Sequence, residues 1–322
     1  MKASGILLGL AVLVSGAPAF AYCRTSHCPE TGQDSQVCAP AQADDCGFVV
    51  WWPKPRITYS VQLDASTQVP LETIRATAKT AFQVWSSVDC GEGQHPRFEV
   101  VETEPVTCRE HEYNKDHGNA NIILFHDGVW PYGDHDGRLA LTTVSYNVET
   151  GEIYDADMEL NSAHAQFTTV DPVNIDLLAV VTHEAGHFLG LAHSVDGNAT
   201  MYRAYDPGTT DQRDLEEDDR AAICAVHPPA PITADCDPTP RHGFSPLCGA
   251  DQTGSVEDPP AEESCCCGDG YDCENGICTE AQGCCTIAPG SGRQSSGPAG
   301  VLAALGALLL LARRPSRWGA SP

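Results

Sequence analysis

The stretch Thr182-His183-Glu184-Ala185-Gly186-His187-Phe188-Leu189-Gly190-Leu191-Ala192-His193 restricts this chain more than any other feature. His183 and His187 stand four residues apart, so on a helix both imidazoles leave the same side. Glu184 sits beside them and can hold a metal-bound water. Gly190 can end the helix in left-handed backbone, after which the chain returns His193 to the same point. Three neutral imidazole nitrogens and one water make a tetrahedral zinc site with an open position. A lone histidine reads as an ordinary core or surface group, but three with a glutamate and a glycine at these offsets read as a metal centre. Zinc is favoured over iron or copper by the all-histidine set and the adjacent Glu184, since affinity order alone does not choose the ion. Leu177, Leu178, Val181 and Leu189 form the apolar stripe that anchors this helix to a core.

Charge narrows the partners. The 322 residues carry 18 Lys plus Arg against 44 Asp plus Glu, a formal charge of -26, and 16 Cys. Such an acid excess argues against nucleic acid, whose phosphates need clustered Lys and Arg, and against an anionic membrane surface as the main target. Sixteen cysteines need either metal or an oxidising compartment, and the ends of the chain choose the second. Met1 and Lys2, an apolar run over 6–14 and Pro18-Ala19-Phe20-Ala21 form a secretory signal over 1–21, with cleavage after Ala21. Disulfides then become the default. At the other end, Gly283-Cys284-Cys285 is followed by a Gly/Ser/Pro spacer, an apolar run over 301–312, then Arg313, Arg314 and Arg317. The 19 uncharged residues of 294–312 only just span a hydrocarbon core, and the Arg cluster would stay cytoplasmic. A membrane is therefore an expected partner of the 283–317 segment before processing.

Between the ends, residues 22–48 hold Cys23, Cys28, Cys38 and Cys46 but too few large apolar residues for a core, as in a disulfide-tied extension. A folded domain is expected over 49–228, opened by Trp51-Trp52-Pro53. Residues 56–63 alternate, with Ile57, Tyr59, Val61 and Leu63 on one face, so they predict a strand. A helix of about 17 residues follows Pro70, with Ile74, Ala78, Ala81, Phe82 and Trp85 as its buried stripe. Further strands are expected over 98–101, 121–125, 139–146 and 153–160, the second suited by its unbroken apolar run to a central position. Helices are expected over 174–189 and 215–225, the latter acid-rich at its start as the helix dipole prefers. Residues 229–282 read as a Pro/Cys-rich linker or stalk. Fourteen cysteines lie from Cys23 to Cys278, and Cys90 with Cys108 is the one pairing suggested, because both flank one strand-bearing segment.

The motif over 182–193 resembles the metzincin metallopeptidases, and more closely their matrixin branch. Met201, after Ser194-Val195-Asp196-Gly197-Asn198-Ala199-Thr200, matches the buried methionine of that family's turn below the zinc. Arg203-Ala204-Tyr205, and Asp218-Asp219 before Ala221-Ala222-Ile223, look like a matrixin ending. Ala81-Phe82-Gln83-Val84-Trp85-Ser86 resembles the first helix. The resemblance implies an α/β (α+β) fold: a metzincin catalytic domain with a twisted, mostly parallel five-stranded sheet and three helices, plus Cys-rich flanks. It implies Zn2+ on His183, His187 and His193, Glu184 as catalytic base, and Ca2+ as a second candidate ion. For calcium, Asp155, Asp157 and Glu159 alternate onto one face in what would be the edge-strand region. The sequence also departs from the family. Leu141 and Tyr154 stand where two histidines of a structural zinc would be. Arg203 stands where astacin-like relatives carry a fifth, tyrosine ligand. The cysteine-bearing inhibitory propeptide motif is missing, and Cys23 or Cys28 is a weak substitute for it. The tail resembles the myxobacterial C-terminal sorting tail, which implies the cell surface (outer membrane) or an extracellular location after processing.

The expected function is that of an exported zinc-dependent metalloendopeptidase. It would hydrolyse peptide bonds of protein or peptide substrates through a Glu-activated zinc-bound water. Strand 139–146, read as the upper edge strand, would bind substrate as an added antiparallel strand, and residues 203–214 would line one wall of the specificity pocket. Two alternatives stand beside it: a non-catalytic zinc-binding surface module, and a zinc hydrolase acting on a non-protein amide.

Overall fold

The computed structural model describes residues 22–28, 33–38, 48–133, 137–233, 236–249, 271–274, 277–280 and 311–312. The expected signal over 1–21, Cys265, Cys266 and Cys267, and nearly all of the sorting tail lie outside the described residues. Among the described residues, no helix is long and apolar enough to cross a membrane.

The chain enters through β1 (Cys23–Cys28), which pairs antiparallel with β2 (Gln33–Cys38). Cys23 lies opposite Cys38 and the two form a disulfide. β3 (Phe48–Val49) pairs with β1, so the small sheet runs β2-β1-β3.

The domain proper follows with β4 (Arg56–Val61), α1 (Leu71–Ser86), β5 (Glu99–Glu102), β6 (Ile122–Phe125), β7 (Ala140–Tyr146) and β8 (Ile153–Leu160). Then come α2 (Leu177–Phe188) and α3 (Glu217–Val226). The five later strands form one sheet in the order β5-β4-β6-β8-β7. β7–β8 is antiparallel and the other pairs are parallel. The expected architecture of a mostly parallel five-stranded sheet with three helices is what the chain adopts.

α1 buries Ile74, Ala78, Ala81, Phe82 and Trp85, the stripe its helical period predicts. β6 takes the middle of the sheet because both faces of an unbroken apolar strand must be covered. Ile123 and Phe125 enter the main core with α1 and α2, while Ile122 and Leu124 enter a smaller one with Val106, Ala120 and Cys248.

Several expectations change. β8, expected near an edge, is paired on both sides, while β7 lies at an edge as expected, with β5 at the other. Leu63 falls beyond β4 and is 48% exposed. α2 begins at Leu177 rather than at 174, because Ile175 and Asp176 pair with Phe167 and Thr168. Asp176 then caps the helix, accepting from Ala179 N at 2.7 Å. The suggested Cys90–Cys108 pair does not form: Cys90 bonds Cys224 and Cys108 bonds Cys248. The reason is topological, since Cys90 follows α1 toward α3 while Cys108 faces the second core. That core also holds the start of the expected linker. Ser245 N donates to Asn119 O at 3.0 Å and Thr107 N to Pro246 O at 3.3 Å, so residues 236–249 strap the outer face of β6. Farther on, 271–274 pairs antiparallel with 277–280, with Cys273 opposite Cys278.

Candidate metal centre

α2 is buried along almost its whole length, and it carries His183 and His187 into the interior. Leu189 N and Leu191 N close the helix end onto Gly186 O at 3.2 and 3.0 Å. Gly190 turns the chain at φ 97°, a conformation that favours glycine, and His193 comes back beside the other two. One ring nitrogen from each histidine lies within 4.8 Å of the others, and among the described residues no other set of three His, Cys, Asp or Glu converges in this way.

The protein sets the tautomers. His183 Nδ1 donates to Thr200 O at 2.6 Å and His187 Nδ1 to Leu191 O at 2.9 Å. A carbonyl only accepts, so both Nε2 atoms keep their lone pairs. His183 Nε2 is buried with no hydrogen-bond partner, which is the state a metal would satisfy. Burial pushes His187 down to about 4 and His193 down to about 2, the second helped by His187 and by Arg203. His183 lies well below its ordinary value, through burial and then its two neighbours. All three are therefore neutral near pH 7, as zinc ligands must be. The donor set and its orientation fit Zn2+.

Glu184 is fully buried. Its Oε2 accepts from Thr142 Oγ1 at 2.6 Å, and its Oε1 has no partner. Thr142 belongs to β7, 42 residues away in the chain. Nothing in the local pattern singles it out, and only the packing of α2 against β7 brings it here. Burial pushes the Glu184 carboxyl up to about 8, with Thr142 pulling the other way. A metal cation beside it favours the ionised form. Zinc uptake at pH 7 is thus expected to release about one proton from Glu184, because the histidines are already neutral. Calorimetry in buffers of different ionisation enthalpy measures this, and Glu184→Gln should abolish the release.

Met201 is 2% exposed and packs against α2 at Gly186, where an added Cβ would lie 2.2 Å from Met201 Sδ. Asp219 fixes this turn by accepting from Thr200 N at 2.7 Å, Met201 N at 3.0 Å and Glu216 N at 3.0 Å. The 203–214 segment is tied to the start of α2: Arg213 pairs with the capping Asp176, and Tyr205 Oη accepts from Asp176 N at 2.9 Å.

The calcium candidates do not converge. Asp155, Asp157 and Glu159 share one face of β8, but their oxygens are committed differently. Glu159 binds His126 Nε2 at 2.7 Å, Tyr132 Oη at 2.6 Å and His111 Nδ1 at 3.1 Å. Burial raises its carboxyl, yet these donors outweigh burial and hold it at about 2. Asp157 accepts from Ile122 N at 2.9 Å and Glu112 N at 3.1 Å. Where a structural zinc would need histidines, Leu141 is buried, and Tyr154 stacks on Tyr113 at 5.7 Å beneath the Arg241 guanidinium at 4.1 Å. Cys23 cannot offer a thiolate to the centre, because it is bonded to Cys38.

Residues 50–228 match the matrixin family. The chain belongs to that family. Matrixins use zinc, in keeping with the histidine triad. Among relatives, Matrix metalloproteinase-C of Caenorhabditis elegans is 31% identical over 188 residues, 55% of this chain and 28% of the relative. Metalloendoproteinase 1-MMP of Arabidopsis thaliana is 30% identical over 189 residues, 56% of this chain and 45% of the relative. Human neutrophil collagenase is 26% identical over 198 residues, 58% of this chain and 38% of the relative. The matrixin domain of this chain thus spans less than half the length of these relatives.

Proposed function

We propose that this matrixin is an exported zinc endopeptidase that hydrolyses peptide bonds of proteins. The observation that carries the reading is the pairing of two features: three converging neutral histidines, and a buried glutamate with one oxygen held by Thr142 and the other without a partner. His183, His187 and His193 would hold zinc, which supplies a Lewis acid and a water of lowered pKa. Glu184 Oε1 takes the proton of the attacking water and later delivers it to the leaving amine. The Thr142 hydroxyl keeps Oε2 out of that exchange. β7, the edge strand nearest Glu184, offers main-chain groups to an extended substrate, and residues 203–214, braced on α2, form the wall that selects the side chain.

Export is supported by the signal pattern over 1–21 and by three disulfides in the described part, Cys23–Cys38, Cys90–Cys224 and Cys108–Cys248. The tail pattern over 283–317 supports passage to the cell surface or beyond. Incubating the purified protein with a mixed peptide library tests the activity: cleavage should stop with a chelator and return with zinc. Absence of zinc-dependent cleavage would remove the peptidase reading, leaving a binding module or a hydrolase of non-protein amides.

Thr142 gives a second expectation. Thr142→Val should lower kcat by about tenfold, at the low end of losses from removing a partner of a metal-site group, with KM and zinc content unchanged. Thr142→Ser should restore kcat, since it returns the hydroxyl.

A further inference from the structure

The first strand touches the metal centre from outside the family domain. Ala192 N donates to Cys23 O at 2.9 Å, and Thr25 N donates to Gly190 O at 3.2 Å. Arg24 thereby pairs antiparallel with Leu191. The Thr25 hydroxyl also reaches Leu191 O at 3.4 Å. Leu191 is the residue whose carbonyl orients His187, and it lies two positions before His193. The loop from the end of α2 to the third histidine is therefore held as one strand of a ladder, with β1 as its neighbour. β1 is fixed in turn by its bond from Val50 N to Thr25 O at 2.9 Å, by β3 and by the Cys23–Cys38 bridge. Cys23, Thr25 and Ser26 are buried, and Tyr22 packs against the main core.

We propose that β1 is a resident positioning element of the metal centre. It orders the 190–192 backbone and so holds the ring of His187 and the approach of His193. Without β1, Gly190 O and Ala192 N lose their partners, and the loop carries a glycine whose backbone is intrinsically free. An inhibitory leader must leave before the site works, whereas this strand must stay for the site to keep its metal. The inference rests on reading the triad as a zinc site, but not on peptidase activity.

The test is the rate of zinc release from the intact secreted protein into an excess of a chromogenic chelator. Thr25→Pro removes the donor aimed at Gly190 O and leaves the disulfide. Cys23→Ala with Cys38→Ala releases the β1–β2 clamp. Both should release zinc about 10–100-fold faster, the range for loss of groups that orient metal ligands. Cys90→Ala with Cys224→Ala removes another long-range bridge that does not touch the loop, and should release zinc at the wild-type rate. Should the Cys23/Cys38 variant not be secreted, Thr25→Pro alone decides. Wild-type release from folded Thr25→Pro overturns the proposal, and so does equal acceleration in the Cys90/Cys224 comparator. A protein that binds zinc with β1-dependent release but cleaves no peptide would sink the peptidase reading and leave this one standing.

Discussion

Glu184→Gln should lower kcat/KM by about 10²–10⁴-fold, the range for losing a general base, which is about 3–5 kcal/mol of transition-state stabilisation. The substitution is close to isosteric. The Thr142 hydroxyl that donates to Oε2 at 2.6 Å can rotate and accept from the new amide instead. His183 and His187 keep their orienting bonds to Thr200 and Leu191, so zinc content should match the wild type. What disappears is the basic oxygen at Oε1, the position without a partner. The measurement is cleavage of the best peptide from the library beside zinc analysis of the same samples. Wild-type activity in this variant would falsify the assignment of the base. Lost zinc would show instead that Glu184 has a structural role.

Gly186→Ala tests the packing beneath the metal. On helix propensity alone it should stabilise the protein by about 1 kcal/mol. Packing predicts the opposite sign. The new Cβ would lie 2.2 Å from Met201 Sδ and 2.9 Å from Trp85 Cζ2. Trp85 cannot yield easily, because its Nε1 is bonded to Thr182 O at 2.8 Å in a buried site. Met201 must then move, and its backbone is held by Asp219 and by Ser194 N, which donates to Met201 O at 2.9 Å. Any shift there carries Thr200 with it, the residue that orients His183. Overpacking of this kind costs roughly 2–3 kcal/mol net. For a domain of this size that is a fall in Tm of roughly 5–10 °C, accompanied by weaker zinc binding. A rise in Tm with unchanged zinc affinity would mean that the turn below the metal is soft.

Much of the site was legible because its information is local. Helical spacing puts His183 and His187 on one side with Glu184 beside them, and the turn at Gly190 brings His193 back to them. The stripe of α1 and the central place of β6 follow from period and from an apolar run in the same way. Thr142 was not legible. A threonine in a strand is ordinary, and only the packing of β7 on α2 turns it into the partner of the buried Glu184 carboxylate. Glu159 illustrates the reverse case. Alternation correctly placed it with Asp155 and Asp157 on one face, but His111, His126 and Tyr132 reach it from other segments and take up its oxygens. The partners of Cys90 and Cys108 lie 134 and 140 residues away, beyond anything that neighbouring elements could suggest.

By itself, then, the sequence determined the helix that must be buried, the two imidazoles and one carboxylate it presents, the third imidazole that follows its closing turn, and the family that shares them, because these depend on spacings within one element and that turn. The tertiary structure decided which oxygen of Glu184 is held, that β8 lies inside the sheet, and that residues 236–249 cover the second face of β6. It also decided that a strand from the expected disulfide-tied extension braces the loop of the third histidine. Each of those outcomes joins segments far apart in the chain. Their pairing is settled by which apolar faces and which unpaired main-chain groups must be covered once the sheet has formed.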